Sequence, residues 1–525
     1  MGPKTSTAGV ATAAGIIMLA NILSRILGFV REMVVTKIFG RTGVTDAFYS
    51  AFAIPDLMYR LLIGGALSAA FIPVFTSYLA KDEEEEAWKV ASTFINVVVF
   101  LLFLMMISGV IFADKLAPLV AYAFEGEQRD LLIYLMRIMF PAVFFTALAG
   151  LGRGILESYR YFTGPAFGPI IYNIAIISGA YFLGPVFGIS GMAAGVVVGA
   201  IGNMLLQLMI ILKKVNGYRF TITLKHPGIQ KMLILMIPSV LGLSVTQINL
   251  IINQNLASGL NPGDITALRL ANRLMELPVG IFVTAISTAL FPTMTRLVAK
   301  GEMDEFKEIL IRGLRTILFI MVPAAVGLVV LRVPIIRLLF ERGEFTSSDT
   351  QATAFALLFY AIGIAGLAGV QLIVRAFYSL QDTITPLKVG IITVLLNVGL
   401  NLLFLNYTHL QHGGLALAYS ISSTFNALML FITLNKRLKG IKSKDIFISL
   451  TKFLIASLFM AATVTKTSNY VGALYGVDTL MGKSLQVGIS IVIGFFTYGF
   501  VSLIIGAEEL FATFQLLTRK FRRRR

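Results

Sequence analysis

Long apolar runs, separated by short polar or charged turns, recur along nearly the whole chain. About twenty apolar residues wound as a helix span a bilayer core, so this pattern predicts an all-α polytopic membrane protein. Fourteen transmembrane helices are predicted: 9–39, 44–79, 88–112, 131–155, 165–184, 190–213, 230–258, 264–298, 306–330, 350–378, 384–405, 413–436, 446–464 and 483–506. The first, second, seventh and eighth are long and contain Gly, Pro or charge, so they are expected to bend or to run past the membrane.

Loop charge sets the expected orientation. The loop after span six holds Lys213, Lys214, Arg219, Lys225 and Lys231, and the loop after span twelve holds Lys436, Arg437, Lys439, Lys442 and Lys444. The tail ends in Arg519, Lys520 and Arg522 to Arg525, whereas the loops after spans five and eleven carry no Lys or Arg. Basic loops stay in the cytoplasm, so both termini are expected there. The acidic run Asp82–Glu86 falls on the same side and reads as a solvated loop.

The pattern also repeats. FIPVFTSYLAKDEEEEAW (71–88) resembles LFPTMTRLVAKGEMDEF (290–306), with Pro73 and Pro292 offset by 219. ESYRYFTGP (157–165) echoes FYSLQDTITP (377–386), and GISGMAAG (188–195) echoes QHGGLALA (411–418). Spans one to six and seven to twelve therefore read as two parallel six-helix repeats, because an even number of spans preserves orientation. Parallel repeats are a transporter signature, with the substrate site near the midplane. The expected divisions are an N-terminal lobe (1–215), a basic cytoplasmic linker (216–229) and a C-terminal lobe (230–437). Two further C-terminal helices and a basic tail (438–525) follow. The lobes are expected to form around a central cavity.

Composition narrows the class. The chain has 525 residues, is 57% hydrophobic and only 14% charged, with no cysteine and a net charge of +17. Cysteine chemistry is thereby excluded: no disulfide, no thiolate nucleophile and no thiolate-bound metal. Lys4 followed by a long apolar segment containing Arg25 reads as a first membrane helix and not a cleaved leader. The basic surplus sits at helix ends, as positive-inside loops require, and does not point to nucleic acid.

Arg25, Arg31, Arg60 and Arg273 lie in or beside apolar helical stretches. Arginine at the bilayer centre costs about 2.5–3.5 kcal/mol on insertion scales, so such residues usually face a wet interior. Guanidinium forks match phosphate oxygens, so this set points to an anionic, phosphate-bearing substrate. Arg25 and Arg31 stand about 9 Å apart in height and about 120° apart in azimuth on an ideal helix. Glu32 adjoins Arg31 and Glu276 lies one turn beyond Arg273, as ion-pair candidates. Snorkelling to the interface or structural pairing is the competing reading for each arginine. Arg41 and Arg269 stand nearer span ends and read as interfacial.

Asp46 opens span two, either as a helix-start carboxylate or as a gate contact to an arginine. Asn173, Gln247, Asn249, Asn253, Asn255, Asn397 and Asn401 are polar positions on apolar spans and are expected to hydrogen-bond between helices. Asn249 and Asp382, the latter with Thr383 and Thr385, are candidates for a Na⁺ or H⁺ site; a turn explains Asp382 equally well. No metal-ligand set, P-loop, HExxH or GxSxG motif stands out, and His226, His409 and His412 all lie in loops. An enzyme or an ATP-driven pump is therefore not expected, and no cofactor is implied.

Six segments together resemble the MurJ (MviN) family of lipid II flippases, in the multidrug/oligosaccharidyl-lipid/polysaccharide exporter superfamily. They are SRILGFVRE (24–32), TDAFYSAFAIP (45–55), GALSAAFIPVF (65–75), LGLSVTQINLIIN (241–253), ANRLMELPVGI (271–281) and FYSLQDTITPLK (377–388). The resemblance implies a V-shaped pair of lobes around a cationic cavity in the bacterial inner membrane, with the last two helices forming a groove for a lipid tail. It implies that Ser24, Arg25, Arg31 and Arg273 are cavity residues that hold the pyrophosphate of lipid II. The family often has two adjacent arginines in its second helix where this chain has Tyr59 and Arg60. Membrane lipids and cell-wall synthesis proteins are the other implied partners. Coupling to the membrane potential, Na⁺ or H⁺ is left open.

Two rivals share the topology. A flippase for another undecaprenyl-pyrophosphate-linked glycan would need the same cationic cavity. A multidrug/cation antiporter would need acidic residues where this chain places arginines. A glycosyltransferase or polymerase acting on the same lipid would need outward-facing catalytic carboxylates. Asp114, Glu125, Glu127 and Asp130 show no such spacing.

Overall fold

A computed structural model describes residues 7–215, 217–441 and 443–510. Lys4, Asn216, Lys442 and the basic tail Arg519–Arg525 lie outside the described residues. Every described element is helical. In chain order they are α1 (Thr7–Phe39), α2 (Gly43–Arg60), a π-helical stretch (Leu61–Phe71), α3 (Ile72–Leu79), α4 (Glu84–Ile111), α5 (Ala113–Val120), α6 (Gly126–Ser158) and α7 (Thr163–Ser178). A second π stretch (Gly179–Leu183) leads to α8 (Gly184–Phe187), α9 (Ile189–Lys214), α10 (Pro227–Ala257) and α11 (Asp264–Pro278). A third (Val279–Val283) leads to α12 (Thr284–Lys300), α13 (Met303–Val330), α14 (Arg332–Phe340), α15 (Ser347–Ile362) and α16 (Ile364–Ser379). The chain then continues through α17 (Ile384–Tyr407), α18 (His412–Arg437), α19 (Ser443–Tyr475) and α20 (Leu480–Ile504).

Eleven of these helices are long and apolar enough to cross a membrane, and α15 with α16, bent by 45°, makes a twelfth. The other two expected spans coincide with α1 and with the rod from α2 through α3. Arg25, Arg31 and Glu32 interrupt the first, and Asp56 and Arg60 the second.

The sequence repeat has a backbone counterpart. Left-handed residues, which are rare outside glycine, recur at the repeat offsets: Asp82 (φ 60) with Gly301 (φ 76), Arg160 (φ 63) with Gln381 (φ 57), and Gly188 (φ 59) with Gln411 (φ 46). The short helices α5 and α14 begin 219 residues apart, at Ala113 and Arg332. Both copies turn at the same points although their residues differ.

By packing, the chain divides into one unit of Met1–Thr266 with Arg342–Phe345 and another of Ala267–Glu341 with Thr346–Arg525. This division differs from the repeat boundary near residue 230, because α10 packs with the first unit. Gly65 explains the fit: a Cβ there would lie 2.6 Å from Val240 Cγ2, so only glycine lets α10 approach the π stretch so closely.

In the first unit a core of Phe71, Phe75, Trp88, Phe94, Leu151 and Leu156 joins α3, α4 and α6. Trp88 donates to Tyr159 Oη (2.9 Å), whose own hydroxyl donates to Glu84 (2.7 Å). Small residues set the α7–α9 contact, where a Cβ on Gly195 would meet Ala175 O at 2.7 Å. The acidic run is exposed at Asp82–Glu85, but only Asp82 and Glu83 lie in the turn; Glu84–Glu86 form the first turn of α4. Glu84 accepts from Tyr159, Glu85 pairs with Arg219 (3.2 Å), and Glu86 pairs with Lys89 (3.3 Å) and His226 (2.8 Å).

In the second unit Phe319, Phe453, Met460, Val464 and Tyr498 knit α13 to α19 and α20, and Tyr498 donates to Phe319 O (2.8 Å). α15 and α16 break at Gly363, where a Cβ would lie 2.6 Å from Ser420 Cα. Arg315 pairs with Glu509 (2.5 Å) and Glu508 (3.1 Å), tying α13 to the segment after α20.

Candidate functional site

The first-unit arginines divide into engaged and open. Arg31 reaches across α1 to its neighbour Glu32 (2.6 Å) and to Asn173 Oδ1 on α7 (3.3 Å). Glu32 is 2% exposed and also accepts the Tyr49 hydroxyl at 2.6 Å. A buried carboxylate persists only when it is paired and hydrogen-bonded; this one has both, from α1 and α2. Asn173 completes the set by donating to Pro169 O (2.9 Å) and Ser24 O (3.5 Å). Half-buried Ser24 thus contributes its carbonyl to the α1–α7 contact.

Arg25 differs. It is exposed on the apolar body of α1 and has no ion pair among the described residues. Arg60, more than half exposed, pairs with Asp56 one turn earlier (2.8 Å) at the junction of α2 and the π stretch.

Asp46 is 2% exposed and is not the cap of its own helix. Thr42 caps α2 in a reciprocal box with Thr45. Asp46 Oδ2 accepts the Gly263 N–H (2.6 Å), and Oδ1 accepts the Thr266 N–H (2.8 Å) and hydroxyl (2.6 Å). It therefore caps the first turn of α11, whose free N–H groups attract an anion. Asp46 stands in the first turn of α2, as its position suggested, but its carboxylate serves the start of α11, through two backbone N–H groups and the Thr266 hydroxyl. Arg41, expected to be interfacial, pairs with nearly buried Asp264 (3.0 Å) beside it. The adjacent segment Arg342–Phe345 joins this end, with Glu344 N donating to Lys37 O (2.9 Å). Sequence offered one signal for this cluster: Gly263 directly before Asp264 at the start of a helix.

In the second unit Arg273 is half-buried and Glu276 exposed on α11. Glu276 lies within electrostatic reach of Tyr360 and Tyr419, whose rings meet edge to face at 5.5 Å.

The ion-site candidates fare differently. Asn249 is half-buried on α10; its carbonyl accepts from Asn253 (2.9 Å), while its Oδ1 is buried without a hydrogen-bond partner. Asp382 makes a turn: it accepts from Thr385 N–H (2.9 Å) and hydroxyl (2.8 Å) and pairs with Arg437. Burial works to raise this carboxyl, but the Thr385 donors and the Arg437 guanidinium outweigh it and hold it below its ordinary value. These bonds make the turn that the sequence offered as one reading of Asp382. No group of three or more metal-ligating side chains forms among the described residues.

The comparisons with known proteins agree with one another. The family model described as lipid II flippase MurJ matches residues 35–485. A probable lipid II flippase MurJ of Buchnera aphidicola is 33% identical over 94% of this chain and 97% of its own. The lipid II flippase MurJ of Burkholderia cenocepacia is 32% identical over 79% of this chain and 82% of its own. A solved lipid II flippase MurJ in an inward closed conformation superposes with a TM-score of 0.78 at 29% identity, covering 93% of this chain and 98% of that one. An inward-facing MATE transporter of the MOP superfamily shares the fold at 17% identity, with a TM-score of 0.69 over 82% of this chain. An all-helical chain with many spans, matched along most of its length by these proteins, belongs to the MurJ family of lipid II flippases.

Proposed function

We propose that this protein flips lipid II from the cytoplasmic to the outer leaflet of the bacterial inner membrane by alternating access, with fourteen spans and both termini in the cytoplasm. The observation that carries the reading is Arg25: an exposed guanidinium on an apolar helix, one face away from an arginine already held by a carboxylate. The pyrophosphate of a polyprenyl-linked precursor is the anion such a group suits, because a fixed guanidinium replaces water its oxygens would otherwise lose. Arg25 and Arg273 are the proposed phosphate contacts. Arg31 and Arg60, with their carboxylate partners Glu32 and Asp56, set the local field of the first unit. Asp46 is proposed as a latch whose grip on Gly263 and Thr266 holds one state of the cycle. A membrane potential, worth about 2.3 kcal/mol per charge per 100 mV, is of the right size to bias such a cycle.

The test is rescue of a strain depleted of its own lipid II flippase. The parent chain, Arg25→Ala and Arg273→Ala would be compared at matched membrane levels for lipid II accessible on the outer leaflet. Rescue by the parent and loss in both variants is the expected result. Rescue by all three would remove the arginines from the substrate site. Failure of a well-inserted parent would point to another polyprenyl-linked glycan.

A further inference from the structure

The linker between the two repeats is not a slack connection. From Gly217 to His226 it loops along α4: Tyr218 and Thr221 reach Asn96, and the chain returns through a turn at Leu224–Lys225, where His226 N donates to Thr223 O (3.1 Å). Arg219 N donates to Ser92 Oγ (3.2 Å), Thr223 N to Thr93 Oγ1 (3.2 Å), and Asn96 Nδ2 to Thr221 O (2.9 Å). The Tyr218 hydroxyl donates to Asn96 Oδ1 (2.6 Å). His226 closes the lower end: its Nδ1 accepts from Gly228 N (3.0 Å), so its Nε2–H faces Glu86 (2.8 Å). Gly217 is fixed at nearly the same level, since a Cβ there would meet the Trp88 ring at 2.2 Å.

Thr221 and Thr223 turn toward α4. Phe220, Ile222 and Leu224 turn away and are 81%, 55% and 58% exposed. Three exposed apolar side chains so close together are unusual for a loop in water. The height of the segment explains them. Lys89 is the last charge before the apolar run of α4, which ends at Ile111. That run rises about 33 Å, the thickness of a hydrocarbon core. Lys89 therefore marks the headgroup level, and Asn96, seven residues on, lies about 10 Å further in. Peptide groups at that depth need protein partners in place of water. Ser92, Thr93 and Asn96, otherwise out of place on an apolar span, supply them. Exposed Lys213, Lys225 and Lys231 flank the segment, giving the apolar-plus-basic pattern of an interfacial anchor on anionic lipid.

We propose that residues 217–226 form an interfacial strap. It inserts Phe220, Ile222 and Leu224 into the acyl–headgroup boundary of the anionic cytoplasmic leaflet, and Lys213, Lys225 and Lys231 hold the lipid phosphates. The strap would fix the depth of α4 in the leaflet independently of which substrate the protein carries.

The chain has no cysteine, so single-cysteine labelling needs no background changes. Phe220→Cys, Ile222→Cys and Leu224→Cys would be spin-labelled in full-length protein in nanodiscs. One set of nanodiscs would contain phosphatidylglycerol and the other only phosphatidylcholine. Glu302→Cys, exposed in a turn between helices, is the water-exposed control. The expected result is collision with oxygen, together with protection from a water-soluble nickel chelate at least five-fold greater than at Glu302→Cys. The protection should weaken in phosphatidylcholine and in a Lys225→Gln, Lys231→Gln background. Chelate access at all three sites equal to that at Glu302→Cys would overturn the proposal and leave a face for a soluble partner. Equal protection in both lipids and in the lysine variant would overturn the anionic-lipid part.

Discussion

Asp46 and Gly263, 217 positions apart in sequence, meet through a 2.6 Å hydrogen bond from the glycine N–H to the carboxylate. Together with the bonds from Thr266 it gives a helix start a cap from another helix. Asp46→Ala would leave two N–H groups without their acceptor and is expected to cost about 2–4 kcal/mol. Asp46→Asn keeps one acceptor oxygen but loses the charge that favours the helix N-terminus, and is expected to cost about 1–2 kcal/mol. Thermal unfolding in a fixed detergent should rank parent, Asn and Ala in that order. An Ala variant as stable as the parent would show that this seat carries no weight.

The Arg31–Glu32–Tyr49 set should behave as a unit. Arg31→Ala takes the guanidinium away from buried Glu32, and removing one partner of a buried pair costs about 3–5 kcal/mol. The double change Arg31→Ala with Glu32→Gln should cost less than the Arg31 change alone, because no buried charge is left unpaired. Arg25→Ala should leave the melting temperature unchanged, since that side chain is exposed and makes no ion pair among the described residues. Measuring stability and flipping on the same three variants separates a structural arginine from a substrate one. A melting loss for Arg25→Ala equal to that for Arg31→Ala would dissolve the distinction.

What was legible in the sequence follows from what sequence patterns encode. Hydropathy showed the apolar spans because bilayer crossing is decided residue by residue. The repeat showed because Pro73 and Pro292 stand at matching places within helices, and Arg160 and Gln381 mark backbone turns that both copies make. The fate of each arginine did not show, because Arg31 and Arg25 differ only in what stands beside them in space: Glu32 was adjacent in sequence, but Tyr49 and Asn173 were not. Asp46 was placed at a helix start by its position, while its true partners lie more than two hundred residues away. The polar face of α4 was invisible because Ser92, Thr93 and Asn96 make sense only with the linker laid against them.

Asp382 gives a pH-dependent prediction. Its folded carboxyl titrates below the ordinary value of 3.8. A group depressed on folding contributes stability that is fully present above its unfolded value and is lost as pH falls through the folded one. Parent protein should therefore melt above Asp382→Asn at pH 7, with the gap constant down to about pH 5 and closing as pH falls below the unfolded value. Melting curves of both proteins across that range test it. A gap that widens with acid would reverse the sign and refute the assignment.

Two left-handed glycines should respond differently to alanine. Gly301 ends α12 at φ 76, and no atom lies within 4 Å of where an alanine methyl would sit. Gly301→Ala therefore meets backbone strain alone, about 1–2 kcal/mol. Its repeat counterpart Asp82 holds φ 60 with a side chain, so Gly301→Asn should cost less than Ala, since Asn tolerates this region. Gly263 is held at φ 95, and a Cβ there would lie 2.4 Å from Arg41 O. Relief requires moving backbone that carries both the Arg41–Asp264 pair and the bond to Asp46. Gly263→Ala is therefore expected to cost about 3 kcal/mol or more, strain and overpacking together. Side-by-side unfolding of the three variants decides it: equal losses for the Gly263 and Gly301 alanines would mean that the close approach to Arg41 relaxes freely, and that this end of the helix bundle is softer than its hydrogen bonds indicate.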